Sequence, residues 1–365
     1  MELNAGLAVV RREGLVALLA ALGCAAAAPA SGTVWAWGSS QYAQSTVPDN
    51  LGACMQVAAG NWHSVALKAN GTVVCWGNPT GTNSWGQTIV PPGLLPATQI
   101  AAGGYHTLAL QQDGAVVCWG KNTSGQCNVP ANLGAVAQLA GGGDFSMALR
   151  TDGTVAAWGN NSSGQCNVPA NLGATAQIAA GAAHAVVCQQ DGVLRCWGSN
   201  TFTQCNVPAD LGTCVQGAGG SSHTMALRTD GTVRCWGLNF YGQCNVPANL
   251  GAAMAVAGGG NHSVALLTDG SVRVWGNNGE GQDAVPAAMG PVTQLAAGFA
   301  HTVALEKLPP TPDIDGSGVV DGTDIGLLLG AWGPALPGAR EDLDESGAVD
   351  GTDLGLLLGS WGPVG

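Results

Sequence analysis

Apolar residues in this chain fall in short runs, each stopped by glycine, and the runs recur. Residues 99–104, Gln-Ile-Ala-Ala-Gly-Gly, predict a strand ending in a tight turn. Residues 106–110, His-Thr-Leu-Ala-Leu, predict a second strand. Asp113-Gly114 predicts a hairpin turn, because glycine tolerates positive φ. Residues 116–120 predict a third strand, and 122–130 a loop carrying Gly125-Gln126. The Trp-Gly pair that closes the third strand returns at Trp37, Trp76, Trp119, Trp158, Trp197, Trp236 and Trp275, every 39 residues except for one step of 43. A second series, His63, His106, Phe145, His184, His223, His262 and His301, keeps the same spacing and the same insertion. Two series in phase over seven copies define a repeat architecture. A single unit would expose its faces and edges; units set side by side around an axis bury one another.

The chain's ends decide between an open stack and a ring. The seventh copy has its first strands within 294–305, but no Trp-Gly strand follows. Residues 31–38, Ser-Gly-Thr-Val-Trp-Ala-Trp-Gly, align with 152–159, Asp-Gly-Thr-Val-Ala-Ala-Trp-Gly. The expectation is an all-β seven-bladed propeller over 31–306, with the N-terminal strand closing the seventh blade. The Gly-x-x-His-Thr-x-Ala-Leu, Asp-Gly-x-Val and Trp-Gly-x-Asn-x-x-Gly-Gln series resembles the regulator-of-chromosome-condensation repeat. The short period, with Val-Pro after Gly-Gln, is most similar to the branch that contains β-lactamase inhibitor protein II. The resemblance implies the seven-bladed fold; function lies in side chains that the motif does not specify.

Composition refines this picture. Fifty-eight glycines argue against long helices, since each costs about 1 kcal/mol against alanine in a helix interior. The one long apolar run, 15–28, follows Arg11 and Arg12 and ends in Ala28-Pro29-Ala30. That order predicts a secretory signal over 1–30, an extracellular product that is free or held at a cell surface, and no membrane span. Of the net charge of −12, residues after the leader up to Lys307 carry −3 and those from Leu308 onward −9. No basic patch exists to meet phosphates, which excludes nucleic acid as an expected partner.

The six histidines share one phase with Phe145, so they read as packing positions with ring nitrogens bonded to neighbouring backbone. The seven repeat tryptophans read as packing between units. Trp35, Tyr42, Trp62, Trp85, Tyr105, Phe202, Phe240, Tyr241 and Phe299 differ from copy to copy and are the candidates for a binding rim. Eleven cysteines follow the leader. Cys54 and Cys214 each occur where Cys75 and Cys235 occur one strand-pair on, so the expected bridges are Cys54–Cys75 and Cys214–Cys235, with an odd thiol left over.

Residues 307–312, with three prolines, predict a stiff linker. Beyond it, Asp313, Asp315, Ser317, Val319, Asp321 and Asp324 recur 29 residues later as Asp342, Asp344, Ser346, Ala348, Asp350 and Asp353. Side-chain oxygens fall at loop positions 1, 3, 5, 9 and 12, glycine at 6, and a carbonyl is offered by Val319 or Ala348 at 7. That pattern predicts two calcium ions in EF-hand-like loops. Ile325, Leu328, Leu329 and Trp332, and again Leu354, Leu357, Leu358 and Trp361, stand at helical spacing and predict two short helices packed on each other. Aspartate rather than glutamate at position 12 in two loop-helix halves resembles a dockerin over 313–362, a small α-helical domain that implies docking onto a cohesin-type receptor.

Two functions follow from these features. The favoured one is a secreted, non-catalytic binding protein: the ring recognises a protein or a glycan, and the calcium-dependent tail attaches it to a cohesin-like partner or a surface complex. The alternative is an extracellular glycan-active hydrolase or lyase delivered by the tail. Outside the Asp-Gly turns the ring's acids are Asp49, Asp144, Asp210, Glu280, Asp283 and Glu306, and no catalytic pair stands out among them.

Overall fold

A computed structural model describes residues 32–78, 84–307, 312, 314, 319–335, 339–344 and 346–363. The expected leader and most of the linker lie outside these residues. The chain divides into two compact units, Met1–Lys307 and Leu308–Gly365. Among the described residues no helix is long and apolar enough to cross a membrane.

The first unit is built from repeated three-stranded antiparallel sheets, consistent with a propeller. Ala97–Ala102, His106–Gln111 and Val116–Gly120 form one. The same triplet recurs from Cys54–Ala59, Val136–Gly141, Thr175–Ala180, Cys214–Gly219 and Ala253–Gly258 onward. Val292–Ala297 and His301–Lys307 take their third strand from the other end of the chain: Gly32–Gly38 runs antiparallel to His301–Lys307, Gly32 opposite Lys307 and Gly38 opposite His301. Middle strands are buried over most of their length, and throughout in His106–Gln111, so their apolar residues run on without alternation.

Three hydrogen-bond series run between neighbouring units. At the axis, Asn61 N–H donates to Gly104 O, and the pattern continues through Gly143, Ala182, Gly220, Gly260 and Phe299, whose own N–H donates to Gly60 O. The series therefore returns to its start. Close approach is what demands glycine there: a Cβ on Gly60 would lie 2.2 Å from His63 Cε1 and 2.4 Å from Gly103 O. The second series is a side-chain clasp that the sequence reading missed. Gln138 accepts from Ile178 N–H (2.8 Å) and donates to Ile178 O (3.1 Å). Gln177 does the same with Gly217, Gln216 with Val256 and Gln56 with Ile100. Gln294 reaches across the chain ends to Val57 N–H (2.8 Å). The inner strand bulges beside each of these glutamines, as between Cys54 and Gln56. In the third series six of the seven repeat tryptophans donate to a loop carbonyl one unit back, as from Trp119 to Gln87 O (3.0 Å) and from Trp37 to Gln282 O (2.8 Å), while Trp76 Nε1 is buried without a hydrogen-bond partner among the described residues.

The cysteines depart from expectation. The bridges are Cys118–Cys127 and Cys196–Cys205, with Cα atoms 5.0 Å apart in each. Cys54 and Cys75 sit on the first and third strands of one sheet with Ser64–Lys68 between them, and Cys214 and Cys235 are separated in the same way. All four are free thiols. Co-occurrence in sequence marked units that carry cysteines, not neighbours in space.

In the second unit, helices Gly322–Gly330 and Gly351–Gly359 each follow a two-residue strand. Val319–Val320 pairs with Gly362–Pro363, and Gly333–Pro334 with Ala348–Val349, so each half clasps the other. Asp321 and Asp350 are N-caps, and Asp324 and Asp353 complete capping boxes. The core is Ile314, Val320, Leu328, Leu343, Val349 and Leu357. The expected helical stripe is mostly not buried. Trp332 is 51% exposed and Trp361 54%, because the helices stop at Gly330 and Gly359, and Leu329 and Leu358 face outward beside the one leucine each helix buries.

Candidate functional site

The histidines are structural, though their bonds differ from expectation. Each is fully buried, and its Nε2 meets a hydroxyl of the next unit rather than backbone. His63 pairs with Thr107 (3.0 Å), His106 with Ser146 (2.9 Å), His184 with Thr224 (3.1 Å), His223 with Ser263 (3.1 Å), His262 with Thr302 (3.3 Å) and His301 with Ser64 (2.9 Å). In five of these the hydroxyl donates to a loop glutamine carbonyl, as Ser263 does to Gln243 O (2.8 Å). Its proton is then committed, so Nε2 carries the imidazole N–H. Nδ1 of all six is buried with no hydrogen-bond partner among the described residues. Burial pushes the pKa of His63, His223 and His262 down to about 3, and that of His106, His184 and His301 down to about 4. Where phenylalanine takes the place of histidine, the hydroxyl is missing too: Phe145 packs in one cluster with Ala185, which stands where the other units have Ser or Thr.

Strand register defines one end of every sheet. The glycine after each tryptophan pairs with the histidine, as Gly120 with His106, so the loop after Trp-Gly and the turn before His emerge together. The variable aromatics gather at this end. Trp62 packs against Tyr42 and against Phe299, each with ring centroids 5.2 Å apart. Its indole N–H donates to Tyr105 Oη (3.0 Å). Lys121 Nζ lies 5.5 Å from the Tyr105 ring and 5.7 Å from the Trp85 ring, and pairs with Asp144 at 2.9 Å. Phe240 packs edge-on against Tyr241 at 4.9 Å. Trp62, Phe299 and Tyr241 line one cavity of about 330 Å³ with Ser39, Gln41, Asn261, Asn277, Gly279, Glu280, Gln282 and Ala300. Phe202 takes the same loop position as Trp85 and Tyr241, two residues before the loop glutamine. Trp35 does not belong here: it sits mid-strand opposite Ala304, packs inside a core cluster and donates to Glu306.

In the second unit the carboxylates of Asp342, Asp344 and Asp353 converge, with oxygens within 4.8 Å of one another. Asp353 is buried; its Oδ1 accepts from Leu343 N–H (2.6 Å) and Asp344 N–H (3.0 Å), and its Oδ2 from Asp350 N–H (2.8 Å). Burial works against its ionisation, but those backbone donors outweigh it and hold the carboxyl below the usual range. Ser346 N–H bonds both Asp342 and Asp344 (3.0 Å each), and Ser346 Oγ donates to Ala348 O (3.1 Å). In the first loop Asp324 accepts from Ile314 and Asp321 N–H (2.6 and 2.8 Å), and Asp321 accepts from Thr323 N–H. Asp313, Asp315 and Ser317 lie outside the described residues; Val319 is described and exposed at its strand.

Fold and site define a class: a β-propeller with variable aromatics clustered at one end of its sheets. Residues 56–80, 97–126, 136–165, 176–204, 214–243 and 255–282 match the Regulator of chromosome condensation (RCC1) repeat. The chain thus carries six RCC1 repeats, and its ring is an RCC1-type β-propeller. The unit split between the chain's two ends is not among the matched repeats. The fold resembles that of Prp20p from Saccharomyces cerevisiae, with TM-score 0.67 and 18% identity over 85% of this chain and 96% of that one. Yeast Prp20 bound to Kap60 gives TM-score 0.68 and 19% identity over 84% and 94%. Human WBSCR16 gives 0.62 and 21% over 76% and 99%. At these identities the likeness is one of fold. No curated protein matches the sequence.

Proposed function

We propose that this is an exported, non-catalytic binding protein: a closed seven-bladed ring whose aromatic end recognises a partner, followed by a dockerin-like tail that binds two calcium ions and attaches to a cohesin-type receptor. The carrying observation is the run of Tyr42, Trp62, Phe299, Tyr105 and Trp85 at one end of the sheets, in contact with one another or linked through Lys121. In this run Trp85 and Phe299 are exposed and Tyr42, Trp62 and Tyr105 half-buried, and aromatics joined at a surface in this way suit an interaction site. Prp20p, which shares the fold, binds Gsp1p and histones, and yeast Prp20 binds Kap60. Such use of the scaffold supports a binding role here. Three of the ring's non-turn acids already have partners: Asp144 with Lys121, Asp210 with Arg234, and Glu306 with Trp35 and Gly290 N–H.

The tail's donor set suits a hard cation: carboxylates of Asp342, Asp344 and Asp353, the Ser346 hydroxyl, the Ala348 carbonyl and Asp350, with the corresponding Asp313, Asp315, Ser317, Val319, Asp321 and Asp324 in the first loop. A bound calcium ion would neutralise charges that otherwise repel across 4.8 Å or less and would fix each loop onto its helix.

The test uses the immobilised full chain with and without calcium. A partner lost on Trp62→Ala substitution but kept in chelator belongs to the ring; one lost in chelator but kept by the variant belongs to the tail. Capture that neither chelator nor Trp62→Ala alters refutes the reading.

A further inference from the structure

The cavity framed by Trp62, Tyr241 and Phe299 has a composition that selects among ligands. Its volume of about 330 Å³ falls within the roughly 300–1,000 Å³ usual for small-molecule sites. Three aromatic rings supply apolar walls, and Ser39, Gln41, Asn261, Asn277 and Glu280 supply hydroxyl, amide and carboxylate groups. Among the described residues no lysine or arginine lines it, which disfavours phosphate or uronate. A quaternary ammonium would suit the rings and Glu280 but would leave the hydroxyl and amides dehydrated and unbonded, at a cost of about 1–3 kcal/mol for each buried group. A proline-rich peptide meets the same objection, since it brings few donors.

A neutral sugar meets both halves of the site. Its C–H face lies on aromatic rings, and its vicinal hydroxyls bond amides, which both donate and accept, and a carboxylate, which accepts. The walls are held in advance. Trp62 is fixed by its bond to Tyr105 (3.0 Å) and by the Tyr42 edge. Asn277 Oδ1 accepts from Gly279 N–H (2.7 Å), which fixes this amide in the cavity wall. Gln282 Oε1 is likewise used by Glu280 N–H (2.9 Å), which holds the loop that carries Glu280. Outside the cavity the aromatic path continues from Trp62 through Tyr105 to Trp85, a platform on which further rings of a chain can lie.

We propose that this cavity is the anchoring subsite for a neutral oligosaccharide, an assignment that rests on the aromatic end being the recognition surface. The test is calorimetric titration of the full chain with cellotetraose, chitotetraose and mannotetraose, with choline and a proline-rich peptide as contrasting probes. At least one tetrasaccharide is expected to bind saturably. Tyr241→Ala and Phe299→Ala, at exposed positions that leave the core intact, should each weaken it about tenfold, or ~1.4 kcal/mol. Phe202→Ala, at an equivalent loop position outside the cavity, should leave it unchanged. Absence of saccharide binding at millimolar ligand overturns the assignment, as does binding that ignores Tyr241 and Phe299, or binding of choline or the peptide alone. If sugars fail while Trp62→Ala still abolishes retention of another partner, the glycan assignment falls and the recognition surface stands; if both fail, the surface reading falls with it.

Discussion

Acidification should unfold this ring through its histidines. An unfolded histidine titrates near pH ~6.5, whereas the six in the ring hold pKa values of about 3 to 4 because burial excludes the charged form. Above pH ~6.5 neither state carries the proton, so the histidines are silent there. As pH falls below that value, the unfolded chain takes up protons that the folded chain refuses, and stability drops until the folded pKa is reached. At pH ~5.5 each site then disfavours the folded state by about 1.4 kcal/mol, and the six together by roughly 8 kcal/mol. Domain stabilities are roughly 5–15 kcal/mol, so the midpoint belongs between about pH 5 and 6. Asp152, Asp230 and Asp269 are held below their ordinary range by the hydroxyls of Thr154, Thr232 and Ser271, so their contribution is lost only at lower pH. The assay is urea unfolding followed by tryptophan fluorescence at several pH values. The slope of stability against pH should approach six protons near pH ~5. The Phe145–Ala185 pair supplies the control: His223→Phe with Ser263→Ala should fold at neutral pH and lower that slope by about one proton, or ~1.4 kcal/mol per pH unit. Ser263→Ala alone should cost about 1–3 kcal/mol, since it orphans His223 Nε2. A slope below about two protons between pH ~6 and ~5, or no change in the double variant, refutes the reasoning.

Other predictions follow from the same contacts. Gly60→Ala should destabilise the ring by about 1–3 kcal/mol or more, measured as a lower urea midpoint, because the new methyl meets His63 and Gly103 O. Cys235 and Cys244 occupy the phase of the two observed bridges, with sulfurs 2.9 Å apart, so protein oxidised by a low-molecular-weight disulfide should yield a Cys235–Cys244 linked peptide in non-reducing mass spectrometry. Full alkylation of both after such treatment counts against this. Asp344→Asn should weaken calcium binding while sparing the fold, whereas Asp353→Ala should unfold the tail even in calcium, since Asp353 ties down three backbone N–H groups. Calcium at a hundredfold over its dissociation constant should stabilise the wild-type tail by about 2.7 kcal/mol for each ion bound in calorimetry, and an unmoved transition is the contrary result.

Some of this was legible in the sequence because identical positions repeat in identical environments. The tryptophan and histidine phases announced inter-unit packing, and Phe145 announced that the histidine place tolerates an apolar ring. The hydroxyl partner was hidden because it follows the histidine of the next unit, 40 to 44 residues away for the first five pairs, and only packing around the axis joins them. The glutamine clasp carried an available signal, since Gln99, Gln138, Gln177 and Gln216 stand at the repeat period. The helix stripe misled because periodicity assumes that a helix continues. Trp332 and Trp361 stand past the helix ends, and nine-residue helices carry too few positions to bury a full face.

The same bonds explain why the binding chemistry must come from residues that break the repeat. Most phase-locked polar groups bond within the ring: histidine Nε2 with hydroxyl, hydroxyl and tryptophan with the glutamine carbonyl, inner glutamine with the next strand. A ligand reaching those groups would have to open an interface between units. Trp62, Tyr105, Asp144, Ser222 and Asn261 occupy one position, immediately before the middle strand, and differ in every copy named. Their backbone serves the ring, as when Tyr105 O accepts from Lys121 N–H (2.8 Å); of their side chains, Asp144 and Asn261 also accept from a loop glutamine, Gln126 (3.0 Å) and Gln243 (3.5 Å), while Trp62 and Tyr105 bond each other. A chemically varied surface on a uniform frame can therefore arise without loss of stability, and the aromatic cluster around Trp62 sits where the frame permits it.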